Sequence, residues 1–442
     1  MNKNLKAGTA IVDITPPPGV ELAGYPHHPR PNRGVHDPLY ASCLALDDGQ
    51  TRLAMICTDL IVFPKPEVRA LREKASQATG IPAENIMVTC SHSHSAPWAS
   101  GISFLDDTGQ GWAVDADYMA DLRRKLLAVI TEAWENLFDA QIGIDKGFCG
   151  REQGVGGNRR NPYEIADPEV WTIGVQDMSG ILRACLVKYT LHPTFLHSDN
   201  FLVSADYPGA LREYLGEKHP QAVVLFAQGC SGNQSPRYFR SGKTFEEARR
   251  VGRAIGAEAE RVLAGLTYNP HARLLCASTE VDLELRDLPS PEAAQAAVDE
   301  ARRHWEAVKS ASKVERDIWN AELLLLGAED TLALVKLQES KGREGMAGEE
   351  LPAEVQVIGM DDARIVGLPG EIFVEFGLTI QYRVPFDKCF VIELANGVLP
   401  GYACTTRAYS QGGYETGASL LTGRAGEQLA DAAVALVKQA AI

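Results

Sequence analysis

Ile86-Met-Val-Thr-Cys-Ser-His-Ser-His-Ser-Ala-Pro97 passes from an apolar run straight into a polar loop. The run predicts a strand over 86–89, so His92 and His94 sit where strand gives way to loop. In extended chain, residues two apart point the same way. Two imidazoles two apart can therefore face one pocket, and neutral imidazole is a common ligand for zinc. Ser91, Ser93 and Ser95 are small and polar, leaving room for a metal and a substrate. Taken alone, a His-x-His motif reads equally as two solvated histidines on a loop. The rest of the chain decides.

The same pattern recurs along the sequence. A strand over 182–190 runs into Leu191-His-Pro193, and a short apolar strand over 223–227 feeds Gln228-Gly-Cys-Ser-Gly-Asn-Gln-Ser-Pro-Arg237. A strand over 363–368 empties into Pro369-Gly-Glu371, and one over 390–394 leads to a loop rich in Gly and Tyr. Strand ends thus deliver His92, His94, His192, Ser235, Glu371 and the tyrosines between 402 and 414. Ligands and catalytic groups gather on loops held by a rigid sheet. Two histidines and a carboxylate form a common catalytic zinc set with one open position. Glu371 by itself reads equally as an acid favoured at the start of a helix near Ile372.

The remaining segments mix strand and helix. Strands are predicted over 10–15, 41–46 and 52–57, the last two joined by the hairpin signal Asp47-Asp-Gly49. Helices are predicted over 66–78, 117–136, 207–215, 245–263 and 426–441. From about 291 to 341, Ala, Glu, Leu and Arg dominate, which predicts a helical pair making an excursion from a single domain spanning 1–442.

Composition narrows the function. The chain has 442 residues, 45% hydrophobic and 23% charged, which is enough for a large core and is not disordered. A net charge of -15 argues against a nucleic-acid partner or an anionic membrane, since phosphate binding needs clustered Lys and Arg. The N-terminus lacks the apolar core of a signal peptide, and no apolar run reaches spanning length. The nine cysteines are scattered without a CxxC, so neither a disulfide framework nor a cysteine zinc site is indicated. A cytoplasmic protein without membrane insertion is expected, its oligomeric state open.

Five ordered segments carry a family resemblance. Thr89-Cys-Ser-His-Ser-His-Ser-Ala-Pro97 resembles the Thr-His-Thr-His-Ser-Gly-Pro segment of the neutral/alkaline ceramidases. Leu191-His-Pro193 with Ser204-Ala-Asp206 is similar to their second histidine segment. Gly232-Asn-Gln-Ser-Pro236 is similar to their Gly-Asp-Val-Ser-Pro nucleophile motif, and Leu368-Pro-Gly-Glu371 to their Pro-Gly-Glu segment. Gly401-Tyr402, with Tyr409, Tyr414 and Glu415, is similar to their tyrosine-rich end.

The resemblance implies an α+β fold of two packed mixed sheets flanked by helices, an αββα-like sandwich. It implies a zinc amidohydrolase with one Zn2+ per chain. His92, His192 and Glu371 would be ligands, His94 would contact the reacting centre, and Ser235 would match the serine usually assigned as nucleophile. Arg159 would match an arginine at the substrate site, with Tyr409 and Tyr414 also placed there. Leu399 stands where ceramidases carry a tyrosine ligand, which leaves Tyr402, water or His36 for the fourth position. Asn233 replaces the motif's Asp, and a counterpart of the family's C-terminal immunoglobulin-like domain is not expected. The expected substrate is therefore a small N-acyl amide rather than ceramide. An ester or lactone hydrolase using the same site, or a catalytically silent binding protein, are the competing readings. Ser235 would either attack the carbonyl or donate to the oxyanion. Arg159 would either hold a substrate carboxylate through its planar fork or make an ordinary salt bridge.

Overall fold

Strands whose residues are almost all buried, such as Tyr-Ala-Ser-Cys-Leu-Ala-Leu-Asp at 40–47, must be covered on both faces. The computed structural model, which describes residues 4–99 and 114–440, shows how. In chain order the strands are β1 (Lys6–Asp13), β2 (Tyr40–Asp47), β3 (Arg52–Thr58), β4 (Ile86–Cys90), β5 (Phe138–Phe148), β6 (Gly157–Asn158), β7 (Glu169–Asp177) and β8 (Leu182–Tyr189). There follow β9 (Val223–Gln228), β10 (Gln234–Ser235), β11 (Leu274–Val281), β12 (Ala353–Met360), β13 (Ala363–Gly367), β14 (Glu371–Ile372), β15 (Lys388–Ile392) and β16 (Tyr402–Ala403). The helices are α1 (Lys65–Thr79), α2 (Ala116–Glu135), α3 (Asp206–Lys218), α4 (Phe245–Gly265) and α5 (Pro291–Ala311). They continue with α6 (Glu315–Gly345), α7 (Val374–Arg383), α8 (Thr406–Gln411), α9 (Tyr414–Gly417) and α10 (Ala425–Gln439).

Eight strands form one sheet in the order β4-β3-β2-β1-β5-β7-β8-β9, and four form a second in the order β11-β12-β13-β15. The two sheets pack face to face. Met55, Met87, Ile173 and Leu186 from the large sheet meet Ile358, Ile365, Phe390 and Ile392 from the small one. Trp171 stacks on Phe390 at 5.1 Å. Each such fully buried side chain stabilises the sandwich by roughly 1.5–3 kcal/mol. Outside, α1 and α2 cover one half of the large sheet and α3 and α4 the other. The outer face of the small sheet is covered by α7 and α10. The expected α+β sandwich of two mixed sheets between helices is what forms.

Three parallel neighbours, β3/β4, β8/β9 and β13/β15, set several strand ends side by side. The large sheet curls until β9 at one edge touches β4 at the other. The chain leaving β15 fills that seam. Glu393 N donates to the Gln228 carbonyl at 2.9 Å, and Asn396 N donates to the Val88 carbonyl at 2.8 Å. Asn396 Oδ1 accepts from Val88 N at 2.9 Å. Leu394 and Asn396 take left-handed backbone to make the connection. Ligand sites lie outside the carboxyl ends of such strands.

Some boundaries differ from the sequence reading. β1 starts at Lys6, earlier than 10, and the last residue of the helix predicted over 426–441 lies outside the described residues. The helical pair is present as α5 and α6, with a break in α6 at Gly342.

Candidate metal and catalytic site

β4 stops at Cys90, and the chain then turns rather than continuing extended. Ser91 N donates to the Thr58 carbonyl and His92 N to the Leu60 carbonyl, and His92 adopts a φ of 68°. The two histidines therefore reach one cavity through a left-handed kink, not through the extended alternation expected of them. Their rings are 5.0 Å apart and nearly perpendicular. Gly24, at φ +91°, gives His94 its room: a Cβ there would lie 2.4 Å from the imidazole.

Backbone carbonyls fix two of the rings. His92 Nδ1 lies 2.8 Å from the Ile61 carbonyl, and His192 Nδ1 lies 2.7 Å from the Ser231 carbonyl. A carbonyl oxygen only accepts, so each Nδ1 carries the hydrogen and each Nε2 offers a lone pair. Both Nε2 atoms point at one carboxylate oxygen. Glu371 Oε2 lies 3.0 Å from His192 Nε2 and 3.3 Å from His92 Nε2. Three acceptor atoms facing each other repel unless a cation or a proton sits among them. Burial opposes the charge on both Glu371 and His92, yet Glu371 raises His92, and a proton on His92 in turn holds the Glu371 carboxyl well below the usual range. Burial, then Arg159, pushes His192 down to about 4, so its imidazole is neutral.

His94 completes the cluster. Ligand atoms of His92, His94 and His192 all lie within 4.8 Å of one another. Neither ring nitrogen of His94 has a hydrogen-bond partner among the described residues. Burial, then His92 and His192, holds it well below the usual histidine range. This donor set, with the Nδ1 atoms of His92 and His192 tied back, fits a divalent ion of the zinc type.

Behind the candidate ligands lies a carboxylate the sequence reading missed. Ser231 Oγ donates to Glu393 Oε1 at 2.5 Å, and Ile372 N donates to Glu393 Oε2 at 2.7 Å. Burial pushes Glu393 up to about 8. It therefore ties the loop holding His192 to the strand holding Glu371. Its signal was present: a glutamate inside the apolar run Phe390-Val-Ile-Glu-Leu-Ala395 needs a partner.

A cavity of about 690 Å³ opens above the cluster, lined by His92, His94, Arg159, Ser235, Glu371, Tyr402 and Tyr414 among others. Ser235 reaches it from β10, which pairs with β6. The glycine turn before it serves another purpose than substrate approach. Gly232 N donates to the Ile372 carbonyl at 2.8 Å, and a Cβ at Gly232 would lie 2.9 Å from that backbone. The turn is thereby locked to the strand of Glu371. Asn233 Oδ1 accepts from Val374 N at the start of α7, while its Nδ2 donates to Glu375 at 2.8 Å. An aspartate here would face Glu375 with a second negative charge, which explains the amide.

Tyr402 is placed by register, since β16 pairs with β14 so that Tyr402 lies opposite Glu371. Leu399 also lines the cavity, so the position of the family's tyrosine ligand is apolar here. Arg159 Nε donates to Glu415 at 2.8 Å, and its guanidinium lies 5.6 Å from the Tyr402 ring. Tyr409 is not part of the cavity lining; its hydroxyl donates to the Leu421 carbonyl. His36 stacks on Phe245 and pairs with Asp37, apart from the other histidines.

The opposite wall comes from α6. Trp319, Leu323, Leu326, Leu334 and Leu337 line the cavity, and Trp319 meets His197 edge-on at 4.1 Å. The helical excursion is therefore a wall of the site. Its leucines gave no signal of this, because their spacing is that of any core-facing helix.

Known proteins resemble this chain in sequence and in fold. Neutral ceramidase A of Dictyostelium discoideum is 23% identical over 267 residues, covering 53% of this chain and 36% of that protein. The neutral ceramidase of Pseudomonas aeruginosa is 23% identical over 239 residues, covering 49% and 34%. The matched segments thus span about a third of these relatives' length. A ceramidase solved in complex with C2 superposes with a TM-score of 0.72 at 18% identity, covering 99% of this chain and 76% of that one. The crystal structure of the Pseudomonas aeruginosa neutral ceramidase gives 0.72 at 19% identity, covering 100% and 76%. No family model matches the chain.

Proposed function

We propose that this ceramidase-like chain is a zinc-dependent hydrolase of N-acyl amides, acting in the cytoplasm on a substrate smaller than ceramide. The observation that carries the reading is the convergence of His92 Nε2, at 3.3 Å, and His192 Nε2, at 3.0 Å, on Glu371 Oε2. The sequence relatives, both neutral ceramidases by name, support the choice of bond. When bound, the metal would supply Lewis acidity that polarises a carbonyl oxygen.

The chain's own residues do the rest. His92, His192 and Glu371 would hold the ion, with Tyr402, across the strand pair from Glu371, as the candidate fourth ligand. Ser235 Oγ accepts from Arg237 N at 3.3 Å, which orients the hydroxyl in the cavity. From there it would attack the carbonyl or donate to the oxyanion. His94, with neither ring nitrogen hydrogen-bonded among the described residues, would take a proton and return it to the leaving amine. Among the described residues no helix is long and apolar enough to cross a membrane.

Elemental analysis of the wild type and of His192→Ala, beside a panel of chromogenic N-acyl amides and esters, tests the reading. One zinc per wild-type chain, lost in the variant, with amide cleavage is expected. Full zinc retention in His192→Ala, or a zinc-loaded protein that cleaves esters but no amide, would overturn it.

A further inference from the structure

Beside Ser235 the cavity gathers more positive charge than the protein neutralises. Arg159, Arg160, Arg237 and Arg240 lie together, and among the described residues one carboxylate makes direct ion pairs with them. Glu415 takes Arg159 Nε at 2.8 Å and Arg160 Nη1 at 2.7 Å. Among the described residues no carboxylate comes within 4.0 Å of the Arg237 or Arg240 guanidinium. Their side chains meet neutral oxygens instead: Arg237 Nη1 donates to the Arg159 carbonyl at 3.2 Å, and Arg240 Nη1 to the Thr194 carbonyl. Such bonds satisfy hydrogens without cancelling charge. Among the described residues Arg159 Nη2 is buried without a geometrically formed hydrogen bond, in a side chain 7% exposed that also lies beside Tyr402.

Holding cations out of water and near each other costs free energy unless an anion answers them. Burial, then the neighbouring Arg159, pushes Arg237 down to about 10, with Glu415 opposing only in part. Arg159, Arg237 and Arg240 all line the cavity.

Position says which part of a substrate supplies the anion. Arg237 is two residues from Ser235, and Arg159 N donates to the Asn233 carbonyl at 2.8 Å, so both guanidiniums start from backbone flanking the reacting centre. The apolar wall of α6, with Leu323, Leu326 and Leu334, lies in the same cavity and suits an acyl chain. The anion therefore belongs to the amine half, a bond or two from the scissile nitrogen.

Resting on the N-acyl amide reading, we infer that the substrate is an N-acyl amino acid whose α-carboxylate is held by Arg237 and Arg159. Hydrolysis then breaks the acyl C–N bond. The hydroxyl of water ends on the acyl carbon, its hydrogen on the amine nitrogen, and a fatty acid and a free amino acid leave. A planar, bidentate guanidinium suits a carboxylate better than a Lys would.

The test compares N-dodecanoylglycine with N-dodecanoylethanolamine, in which a neutral CH2OH replaces the carboxylate. In the zinc-loaded wild type the kcat/KM ratio should favour the acid on the order of a hundredfold, the usual scale for a buried charge pair. That ratio should collapse towards one in Arg237→Met and recover in part in Arg237→Lys. A merely structural arginine would lower both substrates together and leave the ratio unmoved, which would overturn the inference. So would faster cleavage of the O-phosphate of the ethanolamide than of the glycine conjugate. Calorimetric binding of both amides to Ser235→Ala needs no turnover. Tenfold tighter binding of the acid, lost in the Ser235→Ala/Arg237→Met double variant, supports the inference, and equal affinities sink it. No amide cleavage with an intact preference for binding the acid would remove the amidase reading alone.

Discussion

The cavity has two unlike walls. One is made of strand ends, where several side chains are tied to backbone groups: His92 to Ile61, His192 to Ser231, and Glu393 to Ile372. The other is the face of α6, where Leu323, Leu326 and Leu334 have nothing to hydrogen-bond and are placed by packing alone. The difference teaches where chemistry and selectivity reside. Hydrogen bonds to backbone fix a direction to within a fraction of an ångström, which a metal and a nucleophile need. Packing fixes only a volume, which is what an acyl chain reads. Changes in the first wall should abolish turnover, and changes in the second should shift preference.

The largest effect belongs to the proposed ligand carboxylate. Glu371→Gln removes the charge on which two Nε2 atoms converge. Zinc content should fall, and kcat/KM should drop on the order of a thousandfold or more, the scale of several kcal/mol of transition-state stabilisation. Elemental analysis with steady-state kinetics checks it. A zinc-loaded variant of near-normal rate would erase the contrast between the walls.

Ser235→Ala comes next. Its zinc content should stay normal. As an oxyanion donor the serine should account for about a hundred- to a thousandfold in kcat. As a nucleophile it should account for more, and no acyl-enzyme should then be seen by mass spectrometry of quenched reactions. Near-normal kcat would remove Ser235 from the chemistry.

On the apolar wall the effects are smaller and selective. Leu326→Ala should lower kcat/KM for long acyl chains by about tenfold while leaving short chains nearly unchanged. A series of acyl lengths reads this directly. Equal losses for all lengths would mean that α6 does not contact the acyl half.

Legibility in the sequence followed the same division. Strand ends were readable because His92, His192, Ser235 and Glu371 each close an apolar run, and polar residues there have few structural uses. The route was not readable. His92 reaches the cavity by a positive φ, which a β-like alternation does not foresee. Gly24 looked like any loop glycine, since only the fold brings His94 against it. Tyr402 faces Glu371 because of a parallel pairing of two short strands, a contact no local pattern encodes. The α6 wall was invisible for a different reason: a helix face buried against a cavity has the same spacing as one buried against a core.

The smallest effect is on stability. Asp206 lies in the segment that braces the histidine loop, accepting from Leu196 N and Tyr207 N. Burial pushes it up to about 7 from 3.8, with Asp37 raising it further and Arg240 opposing. The folded state therefore binds a proton between roughly pH 4 and 7 that the unfolded state has released, so stability falls as pH rises through that window. The loss is on the order of a few kcal/mol, seen as a drop of a few degrees in Tm between pH 5 and 8. Asp206→Asn should flatten that slope; an unchanged slope would place the titration elsewhere.

The central claim is that the strand-end wall holds a metal. Anomalous diffraction above and below the zinc edge, on crystals of wild-type protein grown with equimolar zinc, tests it most directly. One peak per chain within bonding distance of His92 Nε2, His192 Nε2 and Glu371 Oε2 is the expected result. No peak there, or a peak bound by other side chains while these three stay in mutual contact, would contradict it.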